Sequence, residues 1–324
     1  MLLRRRRLLA GAAALAPLLT STGRATARPS QGRGGDAGTP AEPIPSTAAD
    51  WADVAQALGR PGNMIRGVYY HTGFPRTDLR VVTRGITVTP ALALGSHVSF
   101  VRYSDDSFLI MGDLVVTEGE LQKTTDALRT RGFMQTAIHK HLPAQNPDVW
   151  WTHVHAHGSD PLPLARGLRA ALDHTATPPA EKQPATPAPP AGLDTAGIDA
   201  ALGTKGTAGI GVYTATFIRR ETIVDLHRVL PPGLGATTAL IFQPLGRGRA
   251  ALSGDFALIA EEVEDVISAL RDGGIDLVEL HNHGLTDEPR LFFIHIWAVD
   301  DPIRLARALR RVVDLTNVVA APAA

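Results

Sequence analysis

The chain has 324 residues, 44% of them hydrophobic and 20% charged, with 32 basic and 32 acidic side chains and no cysteine. The even charge balance leaves no basic footprint for nucleic acid. Without cysteine there are no disulfides and no thiolate ligands, so any bound metal must be held by nitrogen and oxygen.

The first 27 residues read as an export signal. Met1 to Arg7 is basic, Leu8 to Leu19 is apolar but too short for a stable anchor, and Ala25-Thr26-Ala27 offers a small-x-small cleavage site. The run Arg5-Arg6-Arg7-Leu8-Leu9 fits a twin-arginine signal, although a secretory signal with an arginine-rich start reads almost the same. Removing the signal's five arginines leaves 27 basic against 32 acidic residues. The expected product is a soluble exported protein, extracellular or in the cell envelope, with no membrane span. Residues 28–50, rich in Gly, Pro, Ala and Thr, read as a disordered leader.

Two homologous units follow, repeat 1 over 51–175 and repeat 2 over 193–317, ahead of a short tail at 318–324. At an offset of 142, Gly112-Asp113 matches Gly254-Asp255, Glu120 matches Glu262, Gly132 matches Gly274 and Pro147 matches Pro289. At an offset of 141, Asp160-Pro161 and Leu164-Ala165-Arg166 meet Asp301-Pro302 and Leu305-Ala306-Arg307. Each unit is long enough to bury a core of its own. Residues 176–192 between them are proline-rich and read as an extended, semi-rigid linker.

In chain order within repeat 1, Met64 to His71, Leu79 to Val82 and Ile86 to Val88 read as short strands, and Phe108 to Val116 as a longer one. Its counterpart in repeat 2 is Ala251 to Leu258. A helix follows, clearest in repeat 2, where Val263, Val266, Ile267 and Leu270 share one face. Then come a strand into a His-x-His pair, a loop holding Pro147 or Pro289, a second strand, and a helix opened by Asp-Pro. The fold class is therefore α+β: two tandem units, each a mainly antiparallel sheet with two helices, on a ferredoxin-like β-α-β-β-α core with extra N-terminal strands.

The chemistry concentrates in the histidines. His139, His141 and His153 of repeat 1 are answered by His281, His283 and His295 of repeat 2 at a constant offset of 142. On a hairpin about Pro147, His139 and His153 should lie nearly opposite each other, with His141 on the same face, a geometry that zinc or another borderline divalent ion accepts. Duplication copies accidents as well as functions, so a hydrogen-bonded structural cluster is the competing reading. Asp113 is costly to bury unpaired and is a candidate ligand, histidine orienter or general base. Glu120 is a second candidate base, although a carboxylate in a first helical turn favours the helix dipole in any case. His155 and His157 extend the row in repeat 1 only, as further ligands, a pH-sensitive cluster or a solvated strand end.

One stretch, His71 to Leu79, has only a partial echo in repeat 2, around Arg219, Arg220 and Asp225-Leu226. It makes His71, Arg76 and Asp78 candidates for ligand binding, with Arg76 meeting an anionic group. An internal Arg76–Asp78 pair bracing a loop is the simpler alternative. These extras favour a working site in repeat 1, with repeat 2 as its scaffold or partner wall.

Several blocks in order, Phe74-Pro75-Arg76-Thr77-Asp78-Leu79, Pro90 to Ser96, Met111-Gly112-Asp113-Leu114-Val115, the His-x-His pair and the closing Leu-Ala-Arg-x-Leu-Arg helix, resemble the LppY/LpqO family. The resemblance covers residues 51–175 and 194–317 and implies an exported bacterial protein with a duplicated domain of unknown function 1259. Two departures stand out: His139-Lys140-His141 replaces the commoner His-Asn-His, and no lipobox cysteine follows the signal. The family brings no activity with it. Two functions fit the residues: binding of a divalent metal, a small ligand or a cell-envelope component, or metal-dependent hydrolase or lyase chemistry.

Overall fold

A computed structural model describes residues 38–180 and 189–322. The export signal expected over 1–27 and the middle of the linker lie outside the described residues. Both repeats fall in one unit that begins at Thr39.

Repeat 1 runs α1 (Ala52–Leu58), β1 (Asn63–Ile65), β2 (Tyr69–Pro75), β3 (Val82–Thr83), β4 (Ile86–Thr87), α2 (Pro90–Ala93), β5 (Gly95–Arg102) and β6 (Phe108–Thr117). It continues through α3 (Glu118–Arg129), β7 (Met134–His139), β8 (Gln145–Asn146), β9 (Val149–Gly158) and α4 (Pro161–Leu172). Repeat 2 opens with α5 (Thr195–Leu202), β10 (Thr207–Ala208), β11 (Tyr213–Arg219), β12 (Val224–Asp225), β13 (Arg228–Val229), β14 (Thr237–Gly246) and β15 (Arg249–Leu258). It closes with α6 (Val263–Asp272), β16 (Asp276–His281), β17 (Phe292–Asp300), α7 (Pro302–Val313) and β18 (Val318–Ala320).

The main sheets have equivalent orders, β1-β2-β5-β6-β9-β7 and β10-β11-β14-β15-β17-β16, with every neighbouring pair antiparallel. The expected β-α-β-β-α core is present as β6-α3-β7-β9-α4. Its missing fourth strand is replaced from upstream by β5, which pairs with the free side of β6.

Alternation along the strands explains the layers. Outward residues of β5, β6 and β9, such as Val98, Ile110 and Val154, meet Leu128 of α3 and Leu168 of α4 in one core. Leu252, Phe256 and Ile296 do the same against Val266 of α6 and Leu309 of α7. Asp160 and Asp301 cap α4 and α7 by accepting from Leu162 N and Ile303 N, and proline takes the first helical position in both, as the Asp-Pro pairs predict. The inner faces carry a third and a fourth core that mix both repeats, Tyr103 and Met111 with Phe293, and Trp151 with Trp297. The layers therefore stack helices, sheet, sheet, helices.

Parts of the expected leader and of the expected tail are built into the fold. Within the expected leader, Ala41 N donates to His227 O and Ala41 O accepts from Val229 N, and residues Ala48–Trp51 form a 3-10 helix. Within the expected tail, Val318–Ala320 pairs with β11. Backbone pairing of this kind is indifferent to the small side chains that gave the leader its disordered composition.

Arg76 is fully buried. Its guanidinium donates to both oxygens of Asp78, to both oxygens of Glu120 and to Val115 O. The pattern recurs in repeat 2, where Arg219 meets Glu221, Glu262 and Ala257 O. The repeat-2 match for Arg76-x-Asp78 is thus Arg219-x-Glu221 at an offset of 143, and Asp225-Leu226 belongs elsewhere. Removing one side of a buried, hydrogen-bonded ion pair leaves an uncompensated charge and costs about 3–5 kcal/mol. Arg76→Met and Arg219→Met should each destabilise the protein by about that amount, read from denaturant unfolding; a change near zero would show that the clamp is not needed for stability.

Candidate metal centre

One row of residues carries the polar groups across the inner face of each sheet. In repeat 1 it is Gly73, His97, Asp113, His153 and Ala137, each opposite the next. In repeat 2 it is Thr216, Ala239, Asp255, His295 and Glu279. The glycine before each aspartate is required by the neighbouring strand: a Cβ on Gly112 would overlap His97 O, and one on Gly254 would overlap Ala239 O.

His139 lies opposite Trp151, not His153, because the register of β7 on β9 sets Ala137 opposite His153. The two rings still stack, 4.8 Å apart, because both point inward. His141 lies just beyond β7, its Nε2 2.9 Å from His139 Nε2 and 3.2 Å from Asp113 Oδ2.

The two triplets form a single cluster. His139 stacks on His281 with centroids 3.9 Å apart, His141 lies 3.8 Å from His295, and His153 lies 4.0 Å from His283. At the repeat offset, 139 is the counterpart of 281, 141 of 283 and 153 of 295, so the contacts obey a pseudo-twofold axis through the His139–His281 pair. The histidine centre is thus shared by both repeats, where a working site in repeat 1 with repeat 2 as its scaffold or partner wall is expected from the sequence. Asn282 braces it by donating to Thr136 O, while Thr136 donates to His283 O. Lys140, in the position equivalent to Asn282, instead pairs with Asp148 and lies over Trp150.

Burial and mutual repulsion keep the imidazoles neutral. His153 is lowered from 6.5 to about 4, chiefly by burial, with Asp113 opposing the shift. His281 is lowered to about 2 by burial and by the neighbouring His295 and His141. His139, His141, His283 and His295 are driven down for the same reasons. The Asp255 carboxyl is pushed well above its usual range, first by burial and then by the charge of Asp113.

Eight buried polar atoms of this cluster have no hydrogen-bond partner: Asp113 Oδ1, Asp255 Oδ1, His139 Nδ1, both ring nitrogens of His281, and Nε2 of His153, His283 and His295. At about 1–3 kcal/mol for each unsatisfied group, a purely structural cluster is expensive. Neutral nitrogens and carboxylates with free lone pairs are what a divalent cation requires. Three sets of ligand atoms lie within 4.8 Å of one another: Asp113, His139 and His141; His153, His281 and His283; and His139, His281 and His295.

The centre opens on a cavity of about 1010 Å³ between the sheets, lined by Asp113, Asp255, His141, His153, His283 and His295 together with His71, His97 and mainly small or apolar residues. Trp151 closes another side by stacking on His141 at 4.5 Å. His97 escaped the sequence reading because its counterpart is Ala239; its place two residues after Gly95, on the inward phase of the strand beside Asp113, was the available signal. His71 reaches the cavity, its Nδ1 3.0 Å from Ser99 Oγ.

Arg76, Asp78 and Glu120 stand apart from the cavity walls. Burial opposes the charge on Glu120, but hydrogen bonds from Arg76, Thr117 N and Ala176 N outweigh it and hold the carboxyl below its ordinary value. With both oxygens so occupied, Glu120 is unsuited to serve as a general base, and Arg76, held by two carboxylates, does not face an anionic ligand. His155 and His157 are not a solvated strand end: both face buried Asp225 of repeat 2, whose Oδ2 lies 3.8 and 3.7 Å from them, and Thr286 donates to its Oδ1.

The sequence profile described as Domain of Unknown Function (DUF1259) matches residues 52–174 and 196–315. The chain belongs to this family. The two matched segments coincide with the two halves of the pseudo-twofold centre. No curated protein matches. A crystal structure of a trimeric bacterial microcompartment shell protein PduB aligns with 80% of this chain and 95% of its own, at 12% identity and a TM-score of 0.23, too low to bear on fold or function.

Because His153 has a folded value of about 4 against 6.5, the unfolded chain binds the proton first as pH falls. The stability it contributes is complete above 6.5 and is lost as pH falls toward 4. The metal-free protein should therefore show a denaturation midpoint that drops through this window, and His153→Gln should flatten the drop. A midpoint independent of pH there would mean that the fold does not exclude protons from the cluster.

Proposed function

We propose that the protein binds a divalent metal of the zinc class at the shared histidine centre and takes up a small ligand in the adjoining cavity. The observation that carries this reading is the convergence of six neutral imidazoles and two aspartates, with eight unpartnered buried atoms, between two sheets. The cavity-lining residues include no lysine or arginine, so a ligand would owe its anchoring to the centre, and its body would meet small and apolar walls. The basic and apolar start of the chain supports export, by the twin-arginine or the secretory route, to the cell envelope or beyond. Among the described residues no helix is long and apolar enough to cross a membrane.

A second reading, a metal-dependent hydrolase or lyase, is favoured by one feature. The metal-binding groups face a space large enough for a substrate, and Asp113 sits among them with one oxygen unpartnered. A bound cation would polarise an oxygen or activate water, and Asp113 would hold or accept a proton at Oδ1.

Metal analysis of the purified full chain, against the His139→Ala, His281→Ala double variant, tests the proposal. The wild type should take up zinc, cobalt or nickel after chelator treatment, and the folded double variant should bind at least tenfold more weakly. Failure of the wild type to take up any of these ions would remove both readings. With metal present, turnover of ester, phosphate or glycan substrates would select the enzyme over the binder.

A further inference from the structure

The three ligand sets are not equivalent. The set Asp113, His139 and His141 shares no residue with the set His153, His281 and His283, so both can be filled at once. The third set, His139, His281 and His295, takes one residue from the first and one from the second. An ion there lies by the pseudo-twofold axis and competes with an ion in either of the others. The centre therefore has two modes of filling, one ion near the axis or two ions flanking it.

The aspartates decide between them. Asp113 approaches His141, its Oδ2 3.2 Å from Nε2, and Asp255 approaches His283, its Oδ2 3.8 Å from Nε2. Asp113 thus lies in the first flanking set, Asp255 stands beside the second, and neither is in the axial one. A single axial ion leaves Asp113 Oδ1 and Asp255 Oδ1 buried without partners, and buried unpaired carboxylates are among the costliest groups in a fold. Two flanking ions give each carboxylate its own cation.

The spacings agree. Around a four-coordinate zinc with bonds of about 2.0–2.1 Å, ligand atoms stand about 3.3 Å apart, and in the first set they stand 2.9 Å and 3.2 Å apart. The pseudo-twofold also supplies a fourth ligand to each set, His295 beside His141 and Asp255 beside His283. Each ion would then be held by three histidines and one aspartate drawn from both repeats.

We propose that this is a two-metal centre: one divalent cation bound by Asp113, His139, His141 and His295, the other by Asp255, His281, His283 and His153. The proposal rests on the metal-binding reading above. Two such ions with two carboxylates and six neutral imidazoles carry a net double positive charge. The class of ligand suited to the cavity is thus an anionic oxygen group, which would enter as a fifth ligand by expansion of the coordination shell.

Stoichiometry separates the outcomes. Chelator-treated full chain, dialysed against zinc and analysed for bound metal, should saturate at two ions per chain. His141→Gln and His283→Gln, each shown to be folded by circular dichroism, should saturate at one. Copper loaded to two equivalents should give a spin-coupled paramagnetic spectrum. Saturation of the wild type at one ion, or a magnetically isolated signal at two equivalents, overturns the two-metal centre and leaves the metal-binding reading standing. No bound metal overturns both.

Discussion

The structure depends on one constraint: each sheet carries a row of imidazole and carboxylate on the face it must bury. Neither row can be satisfied within its own repeat, where the alternation that sends Val98 and Ile110 to the helices sends His97, Asp113 and His153 inward. Burying such groups against an apolar partner would leave several hydrogen-bonding atoms stranded. Facing each row with a copy of itself, across a pseudo-twofold, puts like groups together and requires that they stay uncharged or share cations. The four-layer architecture, the neutral histidines and the cavity follow from that arrangement.

The clamps at Arg76 and Arg219 serve the same arrangement from outside the centre. Each ties the end of one sheet strand to the N-terminal end of the helix behind it, Glu120 in α3 or Glu262 capping α6, and to the carbonyl of the strand carrying the aspartate, Val115 on β6 or Ala257 on β15. A buried guanidinium with five donors has a single geometry that satisfies them, so it fixes strand against helix more tightly than apolar contact alone. The position of Asp113, two residues from Val115, is set in this way by a group that never enters the cavity.

Much of this was legible in the sequence, and the unread parts have definite causes. The triplets were visible because duplication kept their spacing, and the β-α-β-β-α order because strand and helix periodicities are local. Convergence of the two triplets was not visible, since nothing in either repeat encodes how sheets face each other across a proline-rich linker. The pairing of His139 with Trp151 was not visible because the register of one strand on the next has no strong sequence mark. Arg76 was matched to Asp78, two residues away, while its second partner, Glu120, lies 44 positions on and was read as a possible base. His97 has Ala239 as its counterpart in repeat 2, so repetition does not mark it.

The pseudo-twofold axis has a further consequence. An interface in which a residue of one unit meets its own counterpart, as His139 meets His281, is the signature of a symmetric dimer, here enclosed within one polypeptide. In two separate chains such a centre would exist only above the concentration at which the chains pair. With both halves on one chain, the partner is present at the effective concentration set by the connecting segment. Dilution, which dissolves a two-chain centre, leaves this one assembled. Each repeat is also free to change without waiting for an identical change in the other, as His97 within the row and the His155–Asp225 contact outside it already show.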